Sequence, residues 1–189
     1  CGRCGLPLPS TRGTDSAIPF CAPCRQQEYA FDLARSFGLY AGNLRQAILE
    51  LKFRRRERLG KRLGELLVEV WTGVEELGAL DSPVLVPVPL HSSRQRERGF
   101  NQAHLLAEGL KRRLARVPGT GTPEIAPRCL WRTRATVPQT GLNLAARREN
   151  VRGVFDVSMP EIIPGRVAVL IDDVMTTGAT LSACAAALK

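Results

Sequence analysis

No apolar run in this chain reaches the roughly eighteen residues that a membrane span requires, and no segment has the pattern of a secretory signal. A soluble, cytoplasmic protein without a membrane span is therefore expected. Acidic residues are also in deficit, 18 Asp and Glu against 27 Lys and Arg, giving a formal net charge of +9. That excess favours a polyanionic partner or a phosphorylated substrate over a neutral one, although arginines that only solvate a surface give the same count. Residues 1–40 lack a long apolar periodic segment and carry Pro7, Pro9, Pro19 and Pro23, so they cannot bury much core of their own. The remaining stretch, 41–189, has the apolar material for one sizeable domain, in a chain that is 44% hydrophobic.

What holds the first forty residues is written in their cysteines. Cys1, Cys4, Cys21 and Cys24 form two C-x2-C pairs separated by sixteen residues, the spacing of a four-cysteine zinc ribbon. A two-residue gap lets both sulfurs of a pair reach one tetrahedral metal, and four thiolates leave no open position for water, so the zinc is structural. Two disulfides are the alternative, but they need an oxidising compartment to which nothing in the sequence points. Cys129 and Cys184 stand alone and are expected to be packing residues.

From Leu44 onward the apolar positions take helical spacing, predicting two amphipathic helices, with Leu44, Ile48 and Leu51 on one and Leu59, Leu63, Leu66, Leu67 and Val70 on the next. Between them runs Lys52-Phe53-Arg54-Arg55-Arg56-Glu57-Arg58. A solvated helix face accounts for such a run, and so does nucleic-acid contact in which Phe53 stacks on a base between cations. Val84–Val88 reads as a buried strand ending near Val86 or Val88, because prolines disfavour a central ladder. A basic loop with Arg94, Arg96 and Arg98 follows, then a helix capped by Asn101. Residues 117–127 read as an irregular connector, Leu130 and Trp131 as the start of a strand, and the polar stretch with Gln139, Arg147 and Asn150 as a lid.

The most specific signal comes last. Val167-Ala168-Val169-Leu170-Ile171 is a continuous apolar run, as in a parallel strand covered on both faces, and it stops abruptly at Asp172-Asp173. Val174-Met175-Thr176-Thr177-Gly178-Ala179-Thr180 leads into an alanine-rich helix. Open α/β sheets bind ligands at the carboxyl ends of their strands. There the free amides of the turn and helix start, with the threonine hydroxyls, can surround a phosphate, and Gly178 lets the backbone approach it. The two carboxylates repel a phosphate but accept hydrogen bonds from ribose hydroxyls or bind a magnesium ion. For a lone Asp-Asp pair, a turn followed by a helix cap is the favoured explanation; the complete string is far more specific.

That string resembles the phosphoribosyl-pyrophosphate (PRPP) motif of type I phosphoribosyltransferases. Together with the four-cysteine start, Val86-Pro87-Val88-Pro89-Leu90, the Arg94-x-Arg96-x-Arg98-Gly99-Phe100-Asn101-Gln102 string, and Gln139 with Arg147 and Asn150, it resembles the ComF (ComFC/GntX-like) family. The resemblance implies an α/β, type I phosphoribosyltransferase-like parallel sheet flanked by helices over 41–189, behind a zinc ribbon over 1–40. It further implies that Asp172 and Asp173 are the catalytic carboxylates meeting the ribose. Thr176, Thr177, Gly178, Ala179 and Thr180 would hold the 5′-phosphate, and Arg94, Arg96 and Arg98 would face the pyrophosphate, with Mg as the second cofactor beside Zn. The family fold continues into another strand where this chain stops at Lys189, so further residues are expected beyond its termini.

Two functions follow as expectations. One is a phosphoribosyltransferase of unknown acceptor linked to DNA uptake and natural transformation, working by electrostatic stabilisation of departing pyrophosphate and of an oxocarbenium-like sugar. The other is a single-stranded DNA-binding competence accessory in which PRPP is a ligand without turnover, with Lys52, Phe53, Arg54, Arg55 and Arg56 as the nucleic-acid candidates. A third possibility makes the zinc module a docking platform for a DNA-translocating helicase or another DNA-uptake protein.

Overall fold

A computed structural model of the chain describes residues 1–8, 19–26, 29–80, 82–136 and 143–189. A short helix, α1 (Ala22–Gln26), carries Cys24; α2 (Gly42–Phe53), α3 (Glu57–Thr72) and the single turn α4 (Glu75–Gly78) then lead to β1 (Val84–Pro87). After it come α5 (Ser92–Arg98), α6 (Gln102–Leu114), β2 (Glu124–Ile125), β3 (Leu130–Arg132), α7 (Leu144–Val151), β4 (Phe155–Val157), β5 (Ala168–Ile171) and α8 (Ala179–Leu188). None of the described helices is long and apolar enough to cross a membrane.

The chain is α/β, built on a parallel three-stranded sheet in the order β2-β1-β5, with β3 and β4 paired antiparallel beside it. Alternation along the central strands sends side chains to two cores. Val84, Val86, Ala168 and Leu170 meet α8 and the β3–β4 pair, where Cys184, Leu130 and Phe155 are buried. Leu85, Val169 and Ile171 meet Leu106, Leu110, Leu114 and Trp71 of α6 and α3. Both faces of the sheet are thus covered, which is why β1 and β5 read as continuous apolar runs rather than alternating ones.

Three elements differ from the sequence-based expectation. Arg94, Arg96 and Arg98 sit on the helix α5, not on a loop: the His91 side chain caps it by accepting from Ser93 N, and Gly99 ends it at φ 83°. A two-residue strand, β2, lies inside the stretch expected to be wholly irregular. Pro87 also belongs to the central strand. Val84 N and Val88 N donate toward β5, so by alternation the missing N–H of Pro87 falls on the opposite side, beyond the two residues where β2 pairs.

Helices α3 and α6 approach through glycine. A Cβ on Gly64 would lie 2.2 Å from the Leu106 carbonyl oxygen, and one on Gly109 would lie 2.0 Å from that of Lys61. Asn101 fixes the start of α6 from both sides, its Oδ1 accepting from Ala103 N at 2.9 Å while its Nδ2 donates to Val88 O at 3.0 Å.

Candidate functional site

Strand β5 runs parallel to β1, so its carboxyl end delivers Asp172 to the same edge of the sheet from which the α5 arginines depart. Asp173 N donates to Asp172 Oδ1 at 2.8 Å, and Asp173 Oδ2 pairs with Lys52 Nζ at 2.8 Å. Burial of the carboxyl, and next the charge of Asp173, push Asp172 up to about 7; the backbone N–H of Asp173 and the charge of Lys52 only partly offset this. Beyond the pair, Gly178 adopts φ 75° and starts α8, a conformation that would strain any residue with a Cβ. Thr177 Oγ1 accepts from Ala179 N at 3.4 Å, while Thr176 is exposed and accepts from Arg147 Nη1 at 3.1 Å.

The loop borders open space on two sides. A cavity of about 610 Å³ has residues 172–178 on one wall and the cysteine module with α2 on the other. A small hollow of about 20 Å³, room for one water-sized group, is lined by Asp172 and residues 174–181. The stretch expected to hold a sugar phosphate therefore faces a cleft, with an acidic end and a helix-tip end.

The raised value of Asp172 has a pH signature. In the unfolded chain this carboxyl loses its proton near pH 4, and in the folded one near 7, so the folded state holds the extra proton between those values. Its contribution to stability is complete below about pH 4, is lost as pH rises across that window, and is flat above it. Denaturant midpoints measured between pH 5 and 8 should fall for the wild type and fall less for Asp172→Asn.

Arg147, one of the lid candidates, meets the loop of residues 172–178 through Thr176; Asn150 lies on the same helix, α7, and Gln139 falls outside the described residues. Sequence reasoning placed Lys52 with the basic run, but its ammonium turns to Asp173 instead. It passed over Arg132 altogether, whose guanidinium is lowered by burial while the charge of Asp172 works in the other direction. Arg132 also lies over the Phe155 ring at 5.5 Å, and a three-residue strand offers no pattern from which to foresee that.

The rest of the basic run joins the α5 arginines. Phe53 is 70% exposed, the Arg98 guanidinium lies 5.9 Å from its ring centre, and Arg55 Nη2 donates to Glu97 O at 3.0 Å. Arg54 and Arg56 both pair with Glu50, and Arg94 pairs with Glu97. Two basic segments some forty residues apart thus form one surface beside Lys52, with an aromatic ring exposed within it.

Cys1, Cys4, Cys21 and Cys24 converge, their four sulfurs all within 4.8 Å of one another and none in a disulfide. The Cys4 and Cys21 sulfurs stand 3.7 Å apart, close to the roughly 3.8 Å edge of a tetrahedron with zinc–sulfur bonds of about 2.3 Å. Burial raises the Cys21 thiol, yet hydrogen bonds from Cys24 and Cys4 leave it below its ordinary value. Cys24, buried and hydrogen-bonded to Cys4 and Cys21, is pushed up to about 12, so four thiolates need a cation among them. The donor set fits a zinc ion. Cys129 and Cys184 are fully buried in the core, and burial raises both thiols.

The chain matches no family model and no solved structure. It is 34% identical over 189 residues to the DNA utilization protein YhgH of Escherichia coli strain K12, a match spanning 96% of this chain and 74% of that protein. Competence protein F of Haemophilus influenzae is 32% identical over 184 residues, covering 96% and 75% respectively. Competence protein ComFC of Bacillus subtilis is 39% identical over 98 residues, 52% of this chain and 35% of that one.

Proposed function

The chain belongs to the ComF family, that of competence protein F and ComFC, and on that premise we propose that it binds PRPP with magnesium and serves DNA uptake. The observation that carries this reading is the loop from Asp172 to Thr180: two carboxylates at a strand end, then a left-handed glycine and a helix tip, all facing a cleft. The names of the relatives, which speak of DNA utilization and competence, support the link to DNA uptake.

On this reading Asp172 and Asp173 accept hydrogen bonds from the ribose hydroxyls, and the amides of residues 176–180 with the threonine hydroxyls hold the 5′-phosphate. Arg147, already on Thr176 Oγ1, closes over that phosphate. Arg94, Arg96 and Arg98 face the pyrophosphate across the shared sheet edge, since α5 leaves from the end of β1. The carboxylate pair fits a magnesium ion, which when bound would neutralise charge on the departing pyrophosphate. Without the ion, the Lys52 ammonium is the cation paired with Asp173. In a transfer reaction the C1–oxygen bond to pyrophosphate breaks, an acceptor nucleophile bonds to C1, and the carboxylates stabilise the positive charge between those events.

Incubating the zinc-loaded protein with PRPP, Mg²⁺ and a panel of bases and nucleotides tests this. Acceptor-dependent pyrophosphate release is expected; PRPP binding without release would leave a ligand site rather than an enzyme, and no binding would end the proposal.

A second reading rests on a separate observation, the exposed Phe53 among arginines drawn from two segments. It makes this surface a single-strand contact, the ring stacking on a base while the guanidiniums meet phosphates. Affinity for a labelled oligodeoxynucleotide is then expected to fall steeply between 50 and 200 mM salt. Phe53→Ala should weaken binding by about five- to a hundredfold, the worth of one stacked base. A flat salt response would sink this reading and leave the first untouched.

A further inference from the structure

The cysteine module and the phosphate loop lie far apart in sequence, yet the structure joins them by a short series of contacts. Arg3, between Cys1 and Cys4, donates through Nη2 to the carbonyls of Tyr29 and Phe31, and its guanidinium lies 5.5 Å from the Tyr29 ring centre and 5.9 Å from that of Phe31. The two rings stack at 4.6 Å with 15° between their planes. Tyr29 Oη then donates to Thr177 O at 3.1 Å, and Ala30 N donates to Ser182 Oγ on α8 at 3.0 Å.

Packing follows the same route. The cysteines form a small core with Met175 and Tyr29 against it. A Cβ on Gly178 would sit 3.1 Å from Tyr29 Cε1 and 3.4 Å from Phe31 Cε1, so the rings lie directly against the glycine of the loop. At the far end of α8, Lys189 Nζ pairs with Asp32 Oδ1 at 3.0 Å. Residues 29–32 thus touch the loop, the first turn of α8 and Lys189, the residue just past its end. They are held in turn by Arg3, from within a C-x2-C knuckle whose shape depends on its four sulfurs staying together.

From this we infer that the cysteine module sets the conformation of the phosphate loop, with Tyr29 as the positioning residue that transmits it. The inference rests on the phosphate-site reading for its ligand, but the mechanical link stands without it. Tyr29 contributes through the Thr177 carbonyl, whose position orients the neighbouring amides that would meet the phosphate, and through the ring that backs Gly178. Loss of metal from the cysteines therefore frees Arg3, the stacked rings and the loop in sequence, and PRPP affinity becomes responsive to metal occupancy.

Tyr29→Phe isolates the link, since it keeps the ring stack and removes only the hydroxyl. In the zinc-loaded full chain this variant is expected to retain the wild-type zinc content, to exchange the amides of residues 175–182 faster, and to bind PRPP roughly three- to tenfold more weakly, the range of one lost hydrogen bond. Chelating zinc from the wild type should speed exchange in the same amides and leave those of Val84–Pro87 unchanged. Unchanged exchange at 175–182 in Tyr29→Phe would overturn the inference, as would a chelation effect spread equally over β1. If the wild type does not bind PRPP at all, the functional proposal fails while the exchange comparison still decides the link.

Discussion

Replacing Asp172 and Asp173 together by asparagine is expected to weaken PRPP binding by a hundredfold or more. Above about pH 7, where Asp172 has lost its proton, each carboxylate offers a charged acceptor, and a hydrogen bond to a charged group contributes about 1.5–3 kcal/mol. Two of them lost amount to at least about 3 kcal/mol, and every 1.4 kcal/mol is a factor of ten. Asparagine keeps the shape, so the fold should persist; the burial that pushes the Asp172 carboxyl up to about 7 no longer opposes a charge there. Lys52, left facing a neutral amide, becomes an uncompensated cation at the acidic end of the cleft. Calorimetric titration of PRPP with Mg²⁺ into both proteins reads the effect, and equal affinities would remove the ribose role from the acidic pair.

The largest expected loss of stability lies away from the site. Alanine at Gly109 places its Cβ 2.0 Å from the Lys61 carbonyl oxygen, and alanine at Gly64 places it 2.2 Å from that of Leu106. Both obstacles are backbone, so no rotamer change relieves them and the helices must separate. Separation thins the packing of Leu106, Leu110, Leu114 and Trp71 against Leu85 and Ile171. Overpacking a core costs about 1–3 kcal/mol, and a backbone collision belongs at the upper end, so about 3 kcal/mol is expected from either change. Urea midpoints measure it. Gly119→Ala, where a Cβ meets nothing within 4 Å but φ is 76°, reports the backbone strain alone and should cost less.

The parts of this molecule legible in its sequence are those whose chemistry is local. The two C-x2-C pairs announce a shared metal because spacing within each pair is sufficient, and the apolar run ending in Asp172-Asp173 announces a strand end because burial and charge change within one residue. Asn101 capped α6 as its type suggests. The arginine helix α5 escaped notice because its cap is a histidine side chain, an uncommon choice, and because five of its seven residues are charged or amide-bearing with no apolar stripe to reveal a period. Lys52 illustrates another limit. It stands first in a basic run and shares that run's composition, and only the fold, which brings the last turn of α2 within reach of the loop after β5, singles it out for Asp173. The Tyr29–Thr177 bond, spanning 148 positions, leaves no local trace at all.

The double hydrogen bond of Asn101 has a consequence for how the two halves of the sheet edge stay in phase. One end of its amide donates a hydrogen bond to the residue just past β1, and the other accepts one from the helix that follows. A carboxylate of identical outline can receive but cannot give. The rotational setting of α6 about its own axis, which brings Gly109 to face Lys61 rather than some bulkier neighbour, is thereby indexed to Val88, just ahead of the departing arginines, by one side chain that must act as donor and acceptor at once.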